Sequence, residues 1–311
     1  MHQHRHRVAW LALLSALALP IIACGQTTPA VPEAPVATNT AAPLGGGGKI
    51  AFASGRKGEY EIFTVSPDGS GITQLTDSDP GGKYFPHYSP TGDVLLYWNY
   101  VADPATSDEY WIKSDGSTGL FANTVQPYVS FSPDGHTVVL CAIGPNGSVE
   151  ILTVPASGGD GTWITDNAAK DYMPAMSPDG KTIAFVSDRD GGPYIYLMDA
   201  DGKNTRRLTD RTDAELGPAW SPDGSQLAFF SGNNDVTNVF VVGADGTGST
   251  NITNQDRGYN EDPTWSPDGT MLAFWSGRSG DNDIYIMHAD GSGVTNITNS
   301  PGPDENPYWT R

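Results

Sequence analysis

The chain has 311 residues, of which 37 are glycine and 24 proline, and its 36 Asp and Glu against 17 Lys and Arg leave a formal charge of −19. So many turn formers point to an all-β protein. The acidity argues against nucleic acid as a partner and against docking of the body of the chain on anionic lipid.

Residues 1–23 read as a processing segment. Arg5 and Arg7 make its start positive, and 8–23 is an apolar run too short for a membrane span. The run ends Leu19-Pro20-Ile21-Ile22-Ala23-Cys24, which resembles the bacterial lipobox. That resemblance implies cleavage before Cys24, acylation of its thiol, and loss of His2, His4 and His6 with the leader. Residues 24–48 are rich in Thr, Pro, Ala and Gly, with Glu33 the only charge. Such a stretch cannot bury a core and is expected to be a disordered tether, spanning on the order of 25 Å as a flexible coil. The other cysteine, Cys141, falls inside a predicted strand and is expected to be a buried small hydrophobe, unpaired with Cys24.

From residue 49 onward the chain repeats. Trp265-Ser266-Pro267-Asp268-Gly269 recurs, whole or worn, with anchors at Ser89, Ser132, Ser177, Ser221, Ser266 and Thr310, spaced 43 to 45 residues apart. A period of that size marks a repeat architecture. In the turn, Pro presets the first central position and Gly can adopt a left-handed backbone, so each copy joins two antiparallel strands. A bulky residue precedes each anchor (Tyr88, Phe131, Met176, Trp220, Trp265, Trp309) and is expected to wedge between neighbouring sheets. A hydrophobic strand follows each turn, at 94–98, 138–142, 183–187, 227–231 and 272–276, and for the last anchor at 50–54. A third strand (61–65, 109–113, 150–154, 195–199, 239–243, 284–288) leads to a second tight turn. A short fourth strand, as at 74–76, 207–209, 251–253 and 296–298, completes the unit.

Six such units predict an all-β, six-bladed β-propeller over 49–311. The last unit supplies an innermost strand without partners and 49–54 begins the partners without an innermost strand, so the two ends are expected to close one blade. Closure hides sheet edges.

The repeats resemble those of the TolB family propeller (PD40, a WD40-like repeat), whose units read Pro-x-Trp-Ser-Pro-Asp-Gly, then Ile-Ala-Phe-x-Ser, Ile-Tyr and Leu-Thr. Here they appear as Pro218 through Gly224, then Leu227-Ala228-Phe229-Phe230-Ser231, Ile195-Tyr196 and Leu208-Thr209. The resemblance implies an envelope-associated scaffold. Together with the leader it implies an exported protein, lipid-anchored on the periplasmic or cell-surface side.

Strand order places the loops entering each innermost strand on one face, together with those between the second and third strands. Two or three positions before the proline that opens the innermost strand stand Asp171, Glu215, Glu261 and Glu305, with Tyr84 and Tyr172 at equivalent places. These residues are expected to ring the channel mouth, a candidate binding face for a basic protein or peptide or for a cation such as Ca2+. Arg56, Arg189 and Arg278 lie on the same face, so the acids could instead be held in ion pairs between blades. The longer loop 99–108, with Tyr100, breaks the symmetry of the ring and is a candidate partner contact. No Gly-x-Ser-x-Gly is present. The expectation is a monomeric binding scaffold. A small-ligand receptor for a sugar or peptide is the alternative, and a metal-assisted hydrolase or lyase is a more distant one.

Overall fold

The computed structural model describes residues 48–77, 81–102, 105–123, 127–233, 235–255 and 258–310. The leader, Cys24 and the tether up to residue 47 lie outside them. Among the described residues there is no helix, and 24 strands form six four-stranded antiparallel sheets.

Blade 1 contains β1 (Ile50–Ser54), β2 (Glu61–Val65) and β3 (Thr73–Gln74). Blade 2 contains β4 (Gly82–Tyr88), β5 (Val94–Ala102), β6 (Ala105–Lys113) and β7 (Thr118–Asn123). Blade 3 contains β8 (Ser130–Phe131), β9 (Thr137–Ile143), β10 (Val149–Pro155) and β11 (Thr162–Trp163). Blade 4 contains β12 (Asp171–Met176), β13 (Thr182–Ser187), β14 (Tyr194–Asp199) and β15 (Arg206–Arg207). Blade 5 contains β16 (Ala214–Trp220), β17 (Gln226–Gly232), β18 (Thr237–Gly243) and β19 (Thr250–Asn251). Blade 6 contains β20 (Asn260–Trp265), β21 (Met271–Ser276), β22 (Asp283–His288) and β23 (Thr295–Asn296). The last strand, β24 (Asp304–Trp309), returns to blade 1, whose order is β24-β1-β2-β3.

The expected closure is therefore present. Ile50 pairs with Trp309 and Ala51 with Tyr308, and Thr310 N–H donates to Lys49 O at 2.8 Å. Lys49 N–H in turn donates to Thr310 Oγ1 at 3.1 Å, and Arg56 Nη2 reaches Asp304 Oδ2 at 2.9 Å.

The repeated turn works through its side chains. Asp134, Asp179, Asp223 and Asp268 each accept a hydrogen bond from the anchor serine hydroxyl two residues earlier, at 2.6–2.7 Å. The serine oxygen then accepts the backbone N–H that starts the next strand. Where Thr91 replaces the aspartate, Ser89 turns instead to Asp93 at 2.7 Å. In blades 4, 5 and 6 the second turn needs glycine for a different reason. A Cβ at Gly202 would lie 2.5 Å from Ile164 O of the preceding blade, and one at Gly291 2.5 Å from Ile252 O.

The core is six layers, one at each seam between blades. At the closing seam Ile50, Phe52, Phe63 and Val65 face Ala273, Trp275, Ile284 and Ile286, with Trp309 in the same layer. Each of the six bulky residues before an anchor packs in a different layer, as wedges would. Trp220 Nε1 also donates to Ala175 O, and Trp265 Nε1 to Ala219 O, each one blade back.

Two strand predictions differ from the structure. The fourth strands end earlier than expected, because the threonine that closes each motif uses its side chain in the ladder: Thr76, Thr165, Thr253 and Thr298 Oγ1 accept the N–H of Ile62, Ile151, Val239 and Ile284 at 2.9–3.0 Å. Residues 99–102 and 105–108 continue the ladder, where a loop was expected: Asn99 pairs with Asp108, Tyr100 with Ser107 and Ala102 with Ala105.

Candidate functional site

The entry-loop face is built by a device used three times. Arg189 Nε donates to Ser187 Oγ at 2.8 Å and Nη2 to both oxygens of Asp171 at 3.0 and 3.1 Å. Arg56 holds Ser54 and Asp304 in the same way, and Arg278 holds Ser276 and Asn260. Each guanidinium also lies 4.8–5.4 Å from two ring centroids of its own blade, Phe185 and Tyr196 for Arg189. These contacts run within a blade, not between blades as expected. The acid stands at the head of the innermost strand, the arginine just past the end of the second, and those two strands are neighbours.

Asp171 is therefore fully buried, as are Glu215 and, at 2% exposure, Tyr172. Glu215 does cross a seam: its Oε2 accepts the Thr209 hydroxyl and the Ile195 N–H of blade 4, the latter at 3.2 Å. Burial pushes its carboxyl up, against the pull of these donors. In other blades the corresponding threonine, fifteen residues after it in sequence, bonds a polar residue at the head of the third strand: Glu61, Glu150, Asn238 and Asp283. Glu215 substitutes for that residue from the next blade. Asp171, Tyr172 and Glu215 thus do not ring an open mouth.

The remaining sequence-predicted residues gather over blades 6, 1 and 2. Glu261 accepts Thr237 Oγ1 at 2.9 Å, and Glu305 accepts Asn282 Nδ2; both are half-buried. Next to Glu305 a file of aromatic rings begins. Tyr60 and Tyr84 lie 4.5 Å apart, Tyr84 and Trp98 6.2 Å, and Trp98 and Tyr100 5.6 Å, between ring centroids. Burial, then the charge of Glu305, raises the Tyr60 and Tyr84 phenols well above the ordinary tyrosine value, so both are neutral donors at physiological pH. Trp98 is buried beneath the file, while Tyr60, Tyr84 and Tyr100 are half-buried and leave tilted ring edges exposed, with a carboxylate at one end. Tyr60 and Trp98 were missed in the sequence because one sits just before a strand and the other inside an ordinary strand pattern; only the fold brings them to Tyr84.

The sequence also underrated the residue just before each proline. In blades 1, 2, 4, 5 and 6 the innermost strand carries a β-bulge at this point. The residue there adopts a left-handed backbone: Asn306 (φ 53°), Phe85 (51°), Met173 (53°), Gly217 (60°) and Asp262 (51°). Left-handed geometry is unfavourable for Phe85 and Met173, all the more before proline, whereas Gly217 adopts it freely and Asn and Asp tolerate it. The bulge brings these five residues, together with Tyr128 of blade 3, to a cavity of about 190 Å³ on the axis. Prolines of the anchor turns line the same cavity, so it opens on the face opposite the entry loops.

Cys141 is fully buried, and desolvation pushes its thiol up to about 12, in keeping with an inert core residue. Among the described residues no three His, Cys, Asp or Glu side chains converge as a metal site. No helix among them is long and apolar enough to cross a membrane.

A ring of six four-stranded blades, sealed by a strand from the far end of the chain and cornered by Ser-Pro-Asp-Gly turns, defines a six-bladed β-propeller of the tandem-repeat class. The TolB beta propeller domain (PD40) matches residues 121–215 and 212–311, and the chain belongs to this family. It is 33% identical over 156 residues to the protein TolB homolog of Chlorobium luteolum, covering 49% of this chain and 34% of that one. With the TolB homolog of Chlorobium chlorochromatii it shares 31% over 147 residues, 46% of this chain and 32% of the relative. The chain thus spans about a third of the length of these curated relatives. The crystal structure of TolB from Acinetobacter baumannii superposes with a TM-score of 0.71 at 24% identity, over 85% of this chain and 66% of that one, a likeness of fold.

Proposed function

We propose that this protein is an exported, lipid-anchored propeller of the bacterial cell envelope, binding a protein or peptide partner through the entry-loop face over blades 6, 1 and 2. The observation that carries the reading is the set of half-buried tyrosines Tyr60, Tyr84 and Tyr100, backed by the buried Trp98, with Glu305 at its head and Glu261 on the neighbouring blade. Aromatic side chains with a polar edge supply much of the binding energy at protein interfaces. The formal charge of −19 favours a basic partner by steering. Membership of the TolB propeller family supports an envelope role, and the lipobox-like sequence ending at Cys24 supports the anchor. Calcium would need 6–8 oxygens, so at Glu261 or Glu305 it would act only with oxygens brought by the partner.

Affinity capture from envelope fractions, followed by titration of the captured partner, tests the reading. Tyr100→Ala and Glu305→Gln are expected to weaken the interaction at least tenfold while leaving the melting temperature within about 2 °C. A partner bound equally well by both variants would exclude this face. Cys24→Ala is expected to move the protein from the membrane to the soluble fraction.

A further inference from the structure

The axial cavity opens on the other face and has chemistry of its own. Its floor is held by a hydrogen bond across the ring: Tyr128 of blade 3 donates to Asp262 Oδ1 of blade 6 at 3.0 Å. Asp262 Oδ2 accepts Trp275 Nε1 at 2.9 Å and Asn306 Nδ2 at 2.8 Å. That second bond fixes the orientation of the Asn306 amide, and Asn306 Oδ1, on a side chain only 8% exposed, is left without a donor. A buried acceptor in that state is left desolvated without a partner, a cost that a bound donor would recover. On the wall, His87 donates Nδ1–H to Phe85 O at 3.0 Å, so its Nε2 carries the lone pair. Burial keeps that ring neutral, lowering it to about 4. Around these groups the lining is proline and aromatic side chains, among them Pro133, Pro178, Pro222 and Tyr308.

We propose that this funnel receives a primary alkylammonium group, with its N–H donors on the Asp262 carboxylate and Asn306 Oδ1 and its methylene chain along the proline sleeve. Asp262, Asn306 Oδ1 and His87 Nε2 all accept, and an ammonium has three donors and no acceptor. The apolar sleeve suits an unbranched alkyl chain. The Tyr128 hydroxyl occupies the carboxylate oxygen that the ligand takes, so the phenol is a latch that the ammonium displaces. The same chemistry is offered by a lysine side chain of a partner and by a free diamine. The site does not depend on the entry-face reading.

Titration calorimetry of 1,5-diaminopentane into the full chain tests the proposal, with 1,5-pentanediol and pentyltrimethylammonium as ligands that lack the charge or the N–H donors. Saturable one-to-one binding is expected for the diamine alone. Asp262→Asn is expected to weaken it at least tenfold, Tyr128→Phe to leave it equal or tighter, and Tyr100→Ala, on the other face, to leave it unchanged. The two control ligands need no variant, so the test stands even where Asp262→Asn does not fold. Equal binding of the diol or the quaternary amine, or no binding of the diamine, overturns the proposal. A Gly-Lys-Gly peptide binding tenfold tighter than the diamine assigns the ammonium to a partner's lysine; the reverse order assigns it to a free amine.

Discussion

Blade 1 is assembled from two distant stretches of chain, blade 2 from a single one, and it is blade 2 that departs from the repeat. In blade 1, β24, β1, β2 and β3 have the regular order, and Glu61 at the head of β2 accepts the Thr76 hydroxyl. In blade 2, β5 and β6 run to nine residues and β7 to six, where every other blade has a two-residue outer strand. Glu109 stands where Glu61 stands, fully buried, yet both its oxygens lack a hydrogen-bond partner. At the corresponding entry position Lys83 replaces an acid and lies 3.5 Å from Glu61 of the neighbouring blade. A blade is thus defined less by covalent continuity than by the small set of side-chain bonds each repeat encodes.

The largest expected effect breaks blade 1. Deleting residues 306–311 removes most of β24 and uncovers β1. Loss of cooperative unfolding and aggregation on size-exclusion chromatography are expected; a soluble, cooperatively melting truncation would show that closure is dispensable.

A smaller effect sharpens the role of charge within the closing blade. Arg56→Ala leaves the buried Asp304 carboxylate without its cation and is expected to cost about 3 kcal/mol. Arg278→Ala removes the same device from a neutral partner, Asn260, and is expected to cost about 1 kcal/mol. Denaturant midpoints of the two variants give the comparison directly, and equal losses would remove any special weight from the closing pair.

The smallest effect concerns blade 2. Burial pushes the Glu109 carboxyl well above its ordinary 4.5. A carboxyl raised in the folded state favours folding at low pH, and that advantage is lost as pH rises from the unfolded value toward the folded one. Glu109→Gln is therefore expected to raise the melting temperature at pH 7 by about 2–4 °C, with the gain vanishing near pH 4. A gain independent of pH would mean that packing, not charge, is at issue.

The strands, turns and closing blade were legible because alternating apolar residues and Asp-Gly turns act locally, and each repeat states the same rule again. The acid–threonine bond was legible in principle, as a fixed spacing from Glu61 to Thr76 and from Glu150 to Thr165. The fate of the entry-loop acids was not. Asp171 and Glu261 look alike in sequence, and only the arrival of Arg189 on one and Thr237 on the other separates a buried ion pair from a half-open carboxylate. The axial residues were hidden for a further reason. Their common feature is a backbone conformation, and Asn306, Phe85, Met173, Gly217 and Asp262 have no side-chain chemistry in common.

The position of β1 has a mechanical consequence. A pull applied at Gly48 enters the sheet at its second strand, which is bonded on one side to β24 and on the other to β2. Extracting that strand means shearing two ladders together, and the Lys49–Thr310 clasp takes the load first. The same pull on an outer strand would unzip a pair of residues at a time. A load arriving at Gly48 thus meets one of the ring's strongest points and is resisted before any blade begins to open.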